Sequence, residues 1–172
     1  HQKYLNLLDN IVADDNILLC YAESGIRGLL DANEYVEATR FFDLIVKVID
    51  NYVNSECRGF GIHSFLYVID AFLKGNFMPK NVFDFLCNVV LNVKEGDIKS
   101  EDINVKDIYN AAINQARGHA AYMLVECYRY KEYQDEIFKT LEKIASTASV
   151  YTRSAILLNM ALLNHLDQQR NV

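Results

Sequence analysis

Residues able to do chemistry are plentiful in this chain, yet their spacing assembles none of the common reactive sets. Four histidines, His1, His63, His119 and His165, are dispersed, and no HExxH places two imidazoles one helical turn apart for a metal. Four cysteines, Cys20, Cys57, Cys87 and Cys127, each lie inside an apolar run and form no CxxC or Cys/His ligand pair. They read as buried thiols kept reduced in a cytosol. Adjacent carboxylates occur at Asp14-Asp15 and Glu101-Asp102, but neighbouring positions on a helix point apart, so neither pair is a ready acid/base dyad. The polar stretch holding Asp97, Glu101 and Asp102 lacks the sixth-place Gly and the alternate ligands of a calcium loop. Ser24 sits in ESGIRG without the strand–turn–helix context of a nucleophile elbow. Catalytic, cofactor and metal assignments are accordingly none. Tyr122, Tyr128, Tyr130 and Tyr133 interleave with Arg129, Lys131 and Glu132. Such an aromatic–basic cluster can stack bases or grip a peptide, although tyrosines that pack helices together are its more ordinary origin.

What does recur is an Arg followed by a small residue and then an apolar run. It appears as Arg27-Gly28, Arg58-Gly59, Arg117-Gly118 and Arg153-Ser154, in GIRGLLDA, CRGFGIHSFLYVI, ARGHAAYMLVEC and TRSAILLNMALLNHL. The intervals fit a period of one helical hairpin, with one interval enlarged. An Arg near a helix start faces the positive end of the macrodipole, so something else must stabilise it there. The favoured reading is structural: the planar guanidinium reaches across to a carboxylate or carbonyl of the preceding turn. The alternative is a ladder of cations on a groove, open to an acidic partner. Small residues beside the Arg, such as Gly118, let two helices approach closely. The candidate ladder is therefore Arg27, Arg58, Asn114, Arg117, Gly118 and Arg153.

The elements that must position these residues are helices. A first stripe of Leu5, Leu8 and Val12 is followed by a run through Ile17, Leu18, Ile26 and Leu30, whose continuity Gly25 and Gly28 put in question. Asn33 is expected to open the next helix, with Val36, Phe41, Leu44, Ile45 and Val48 on one face. Gly75-Asn76 reads as a helix stop, and Asn81 as the cap of the run that follows Pro79. Residues 94–106 form a polar linker insertion. Beyond it, Asn114 is expected to cap a helix lined by Ala116, Ala120, Leu124 and Cys127. Ile137, Phe138, Leu141, Ile144 and Ala145 predict another, and Ser149 or Thr152 should cap the last. No segment alternates as a strand does. The fold class is all-α, an α-solenoid of stacked antiparallel helical hairpins with about seven to nine helices.

An outer helix alternating with an Arg-headed, Ala-rich inner helix resembles the HEAT and armadillo repeats. More narrowly, Ala112-Ile113-Asn114-Gln115-Ala116-Arg117-Gly118-His119-Ala120-Ala121 resembles an Asn-x-x-Arg-Gly-x-Ala-Ala segment in helical repeat regions of large bacterial signal-transduction ATPases of the STAND/NACHT type, some of which sense invaders. The resemblance implies a sensor or scaffold arm. No GxxxxGK[ST] occurs in this sequence, so an NTPase would lie elsewhere in a parent protein.

Composition bounds the rest. A single proline at this length favours long helices. Seventeen basic against 23 acidic residues give a formal charge of −6, which repels phosphate and disfavours nucleic acid unless cations cluster in space. Neither a signal peptide nor an apolar stretch of about 18 residues is read, so no membrane is expected and the chain is placed in the cytoplasm. One domain, 1–172, is expected, a fragment of a longer protein: the opening stretch reads as mid-helix, and SAILLNMALLNHL is apolar on nearly all sides. The functional expectation is a non-enzymatic helical-repeat scaffold or sensor module that binds a protein or peptide within a multidomain protein. The alternatives are a nucleic-acid-binding HEAT-like protein of the DNA-repair type, and a helical-bundle enzyme with an unrecognised pocket.

Overall fold

A computed structural model describes residues 15–53, 60–94, 105–157 and 159–160. Every regular element among them is helical, and no strand occurs among the described residues. In order these are α1 (Asp15–Asp31), α2 (Tyr35–Val53), α3 (Phe60–Lys74), α4 (Lys80–Asn92), α5 (Val105–Ile113), α6 (Ala116–Glu126), two single 3₁₀ turns (Cys127–Arg129 and Lys131–Tyr133) and α7 (Gln134–Thr147). A last helix, α8, covers residues 150–160 apart from position 158. The chain divides into two compact units, His1–Val82 and Phe83–Val172.

In the first unit α1 runs unbroken through both glycines. Gly25 is there for closeness: a Cβ at that position would stand 3.0 Å from Phe41 Cε1. α1 packs against both α2 and α3. α2 buries Ala38, Phe41, Phe42 and Ile45, the i, i+3, i+4, i+7 spacing of one helix face. α3 is buried on most of its circumference, through Ile62, Phe65, Leu66, Val68, Ile69, Phe72 and Leu73. Phe42 stacks on Phe65 at 5.2 Å and meets Phe72 edge-on at 5.7 Å. Each such ring withdrawn from water contributes about 1.5–3 kcal/mol. An exposed ion pair contributes about 0.5 kcal/mol. Burial, not charge, holds this unit.

Asparagine, not glycine, closes α1 and α3. Asn33 and Asn76 have φ of 60° and 52°. After α1, Asn33 N–H donates to Leu30 O (2.9 Å) and Glu34 N–H to Leu29 O (2.8 Å). After α3, Asn76 N–H donates to Leu73 O and Phe77 N–H to Phe72 O, both at 3.1 Å. These are paired Schellman closures, which satisfy the orphan carbonyls of a helix end. In the second, the rings of Phe72 and Phe77 lie 6.3 Å apart and supply the accompanying apolar contact. Asn33 therefore ends a helix where it was expected to open one, and α2 starts at Tyr35. Asn81 also departs from its expected capping role: α4 begins at Lys80, and the Asn81 Nδ2 donates to Asp43 Oδ1 at 2.6 Å.

In the second unit Val105 and Lys106, placed at the end of the linker on sequence, are the first residues of α5. The remainder of that linker, 95–104, lies outside the described residues. α6 is buried on several sides, through Gly118, Ala120, Ala121, Met123, Leu124 and Val125. α7 is amphipathic, but its buried stripe is Ile137, Thr140 and Ile144, continued by Ala148. Phe138, expected in the core, is 42% exposed, and Ala145 is exposed. Of the two candidate caps of α8, Ser149 takes the role, its Oγ accepting from Thr152 N–H at 3.5 Å. Thr152 itself is fully buried.

Candidate functional site

The arginines of the recurring pattern occupy unlike places. Arg27 lies well inside α1, away from a helix start, and its guanidinium pairs with Glu23 one turn back at 2.7 Å on an exposed face. Arg58 lies outside the described residues. Arg117 is the second residue of α6 and is part-buried, with Nε donating to Val90 O at 2.8 Å. Val90 belongs to the last turn of α4, where carbonyls have no intrahelical donor and carry the negative end of the macrodipole. That attraction offsets the cost of a cation at the start of α6. Arg153 is the fourth residue from the start of α8, and its side chain is exposed.

Gly118 and Asn114 complete the expected set. A Cβ on Gly118 would stand 2.1 Å from Ala112 O and 2.8 Å from Ala112 C, so only glycine lets α6 pass the end of α5. Asn114 is not the cap of α6. Gln115 holds the N-cap position with extended backbone (φ −101°, ψ 141°) and makes no side-chain cap bond. Asn114 is exposed, and its N–H closes onto Asn110 O at 3.1 Å. The corner from Ala112 to Gly118 is thus a tight joint, with Gln115 N–H also on Ala112 O at 3.1 Å. The side-chain amide of Gln115, both Nε2 and Oε1, is withdrawn from solvent without a hydrogen-bond partner among the described residues.

The tyrosine cluster is largely turned inward. Tyr128 is buried and meets Phe138 edge-on at 5.5 Å. Tyr133 stacks flat on Phe83, with centroids 4.2 Å apart and planes 7° from parallel. Gln134 Nε2 donates to Tyr128 O at 2.8 Å within this packing. Tyr130 contacts Tyr133 edge-on, and burial pushes its phenol up to about 12. Arg129, one of the basic residues interleaved with the tyrosines, pairs with Glu126 at 3.5 Å. Among the described cysteines, Cys87 and Cys127 are buried and free. Burial, then the charge of Cys87, pushes the Cys127 thiol up to about 12, which keeps it protonated and unreactive at neutral pH. No group of three or more His, Cys, Asp or Glu that could hold a metal occurs among the described residues. Nor is any helix among them long and apolar enough to cross a membrane.

One feature of α8 is plainer in three dimensions than in sequence. Thr152, Ala155 and Ile156 are buried, while Val150, Leu157 and Met160 are 49%, 64% and 42% exposed. With Arg153 the outward residues fall at i, i+3, i+7 and i+10, which is one stripe of an α-helix. The apolar run is legible in the sequence, but its division into inner and outer faces is not. The signal was this spacing. No protein-family model, curated protein or solved structure matches this chain.

Proposed function

We propose that this chain is a non-enzymatic helical-repeat module, a scaffold or sensor arm of a larger protein, that docks a protein partner on α8. The observation that carries the reading is the outward stripe of Val150, Leu157 and Met160 on a helix whose other face is already buried. Apolar groups left at a helix surface in a row, rather than singly, mark interaction sites. The joint built by Arg117 on the Val90 carbonyl and Gly118 on Ala112 supports the repeat interpretation, because both serve helix-to-helix packing. The nucleic-acid alternative has less support: Arg27 and Arg129 hold carboxylates, and Arg117 holds a carbonyl.

The test is site-specific photocrosslinking in the parent protein, from Leu157 and, as a control, from Glu136 on the exposed face of α7. A defined adduct from position 157 and none from 136 is the expected result. Equal labelling from both positions, or turnover of a substrate by the chain itself, would refute the proposal.

A further inference from the structure

The exposed stripe on α8 also carries a charge, and the charge narrows what can cover it. Val150, Arg153, Leu157 and Met160 are spaced by three, four and three residues, so they advance by close to whole turns and lie in one row about 15 Å long. Arg153 stands in that row with an exposed side chain and pairs with no carboxylate among the described residues. This differs from Arg27 and Arg129, which have carboxylates beside them, and from Arg117, which has a carbonyl. Nothing within the row is acidic.

An apolar partner laid along this row would cover Val150, Leu157 and Met160 and take water away from the Arg153 guanidinium at the same time. A cation desolvated without a counterion is unfavourable, and a carboxylate placed opposite removes that penalty through a forked pair. A second copy of this chain is a poor occupant for the same reason. With α8 packed against α8, the row would meet another Arg153 and no acid, so that two cations would be covered with no counterion between them. A single row on one helix suits the row-to-row packing of an amphipathic helix.

We infer that α8 receives an amphipathic helix of a partner protein that carries an Asp or Glu in the middle of its apolar row, opposite Arg153. This rests on the reading of α8 as the docking face and adds the chemistry of what docks. The probe is a set of fluorescein-labelled helical peptides with one apolar row and Glu, Gln or Lys at its centre, titrated against the full 172-residue chain and followed by anisotropy. The Glu peptide should bind about tenfold more tightly than the Lys peptide at low salt, with Gln between them. Arg153→Glu should reverse that order, and Leu157→Ser should weaken all three. Both positions are exposed, so circular dichroism of the variants should match the parent chain. If Glu and Lys peptides bind alike, or Arg153→Glu leaves their order unchanged, the inference is wrong while α8 still stands as a docking face. If no peptide binds, both the inference and the docking reading of α8 fail. If the chain alone self-associates and Leu157→Ser makes it monomeric, the occupant is a second copy and the inference falls.

Discussion

Arg27 and Arg117 share a sequence pattern, Arg-Gly before an apolar run, but not a physical situation. Arg27 holds Glu23 across one exposed turn, an arrangement that contributes about 0.5 kcal/mol at most. Arg117 is part-buried and satisfies an end-of-helix carbonyl that has no donor within its own helix. Arg117→Leu is therefore expected to lower unfolding free energy by about 1–3 kcal/mol in a denaturant titration, and Arg27→Ala by no more than about 0.5 kcal/mol. Arg117→Lys should not restore the loss, since an ammonium does not reproduce the Nε–H geometry. The glycines separate in the same manner. Gly118→Ala forces a methyl into a backbone carbonyl and should cost about 3 kcal/mol or more. Gly28→Ala meets nothing within 4 Å and should stabilise by about 0.5–1 kcal/mol through helix propensity. A thermal melt of the pair decides whether Gly118 is a packing requirement. Similar losses at both positions would show that it is not.

At the scale of elements, the closures of α1 and α3 repeat one device. Asn33 and Asn76 each take left-handed backbone and return two N–H groups to the preceding turn. Left-handed φ costs most residues about 1–2 kcal/mol, Asn less and glycine least. Asn76→Ala should thus destabilise by about 1 kcal/mol, while Asn76→Gly should be neutral or slightly stabilising. Equal losses for both substitutions would point instead to the side chain of Asn76. The sequence marked Gly75-Asn76 as a stop but left open which residue turns. The left-handed geometry falls on Asn76, and Gly75 keeps a negative φ beside Leu30. Asn33 departs from its expected role for a related reason: Asn favours both the cap that opens a helix and the turn that closes one, and local sequence does not separate them.

For the molecule taken whole, its buried ionisable groups set a pH limit. Cys127 has an ordinary thiol value of 9.0 when exposed and about 12 in the fold. Between those values the unfolded chain has released the proton and the folded chain has kept it, so stability falls as pH rises. The thiol's contribution is fully present below about 9 and is lost progressively as pH approaches 12. Tyr130, raised from 10.0 to about 12, acts in the same direction over a narrower window. Denaturant midpoints measured from pH 8 to 10.5 should therefore decline, at up to about 1.4 kcal/mol per pH unit for each fully coupled proton. Cys127→Ala should make the decline shallower, whatever its effect at pH 7. An unchanged slope would mean that the thiol ionises as readily in the fold as outside it.

Periodicity alone made the chain helical, since apolar residues returning every third and fourth position leave a strand no face to bury. Of the face expected for α2, Phe41 and Ile45 are buried, but Val36 is 78% exposed, and Ala38 and Phe42 complete the inward side. The same rule overreached in α7, where Phe138 matches the apolar pattern but stands at the surface, while Thr140 lies inside. Hydrophobicity says which residues prefer burial, and only the neighbours decide which of them obtain it. The sequence also supplied Arg117 and Gly118 as a pair, without saying that one would grip Val90 and the other lie against Ala112. Those partners are 27 residues and one helix corner away, and the distances between them exist only after the chain has folded. The outward row of α8 is the same case: a run apolar on nearly all sides acquires an inner and an outer face only when other helices cover one of them.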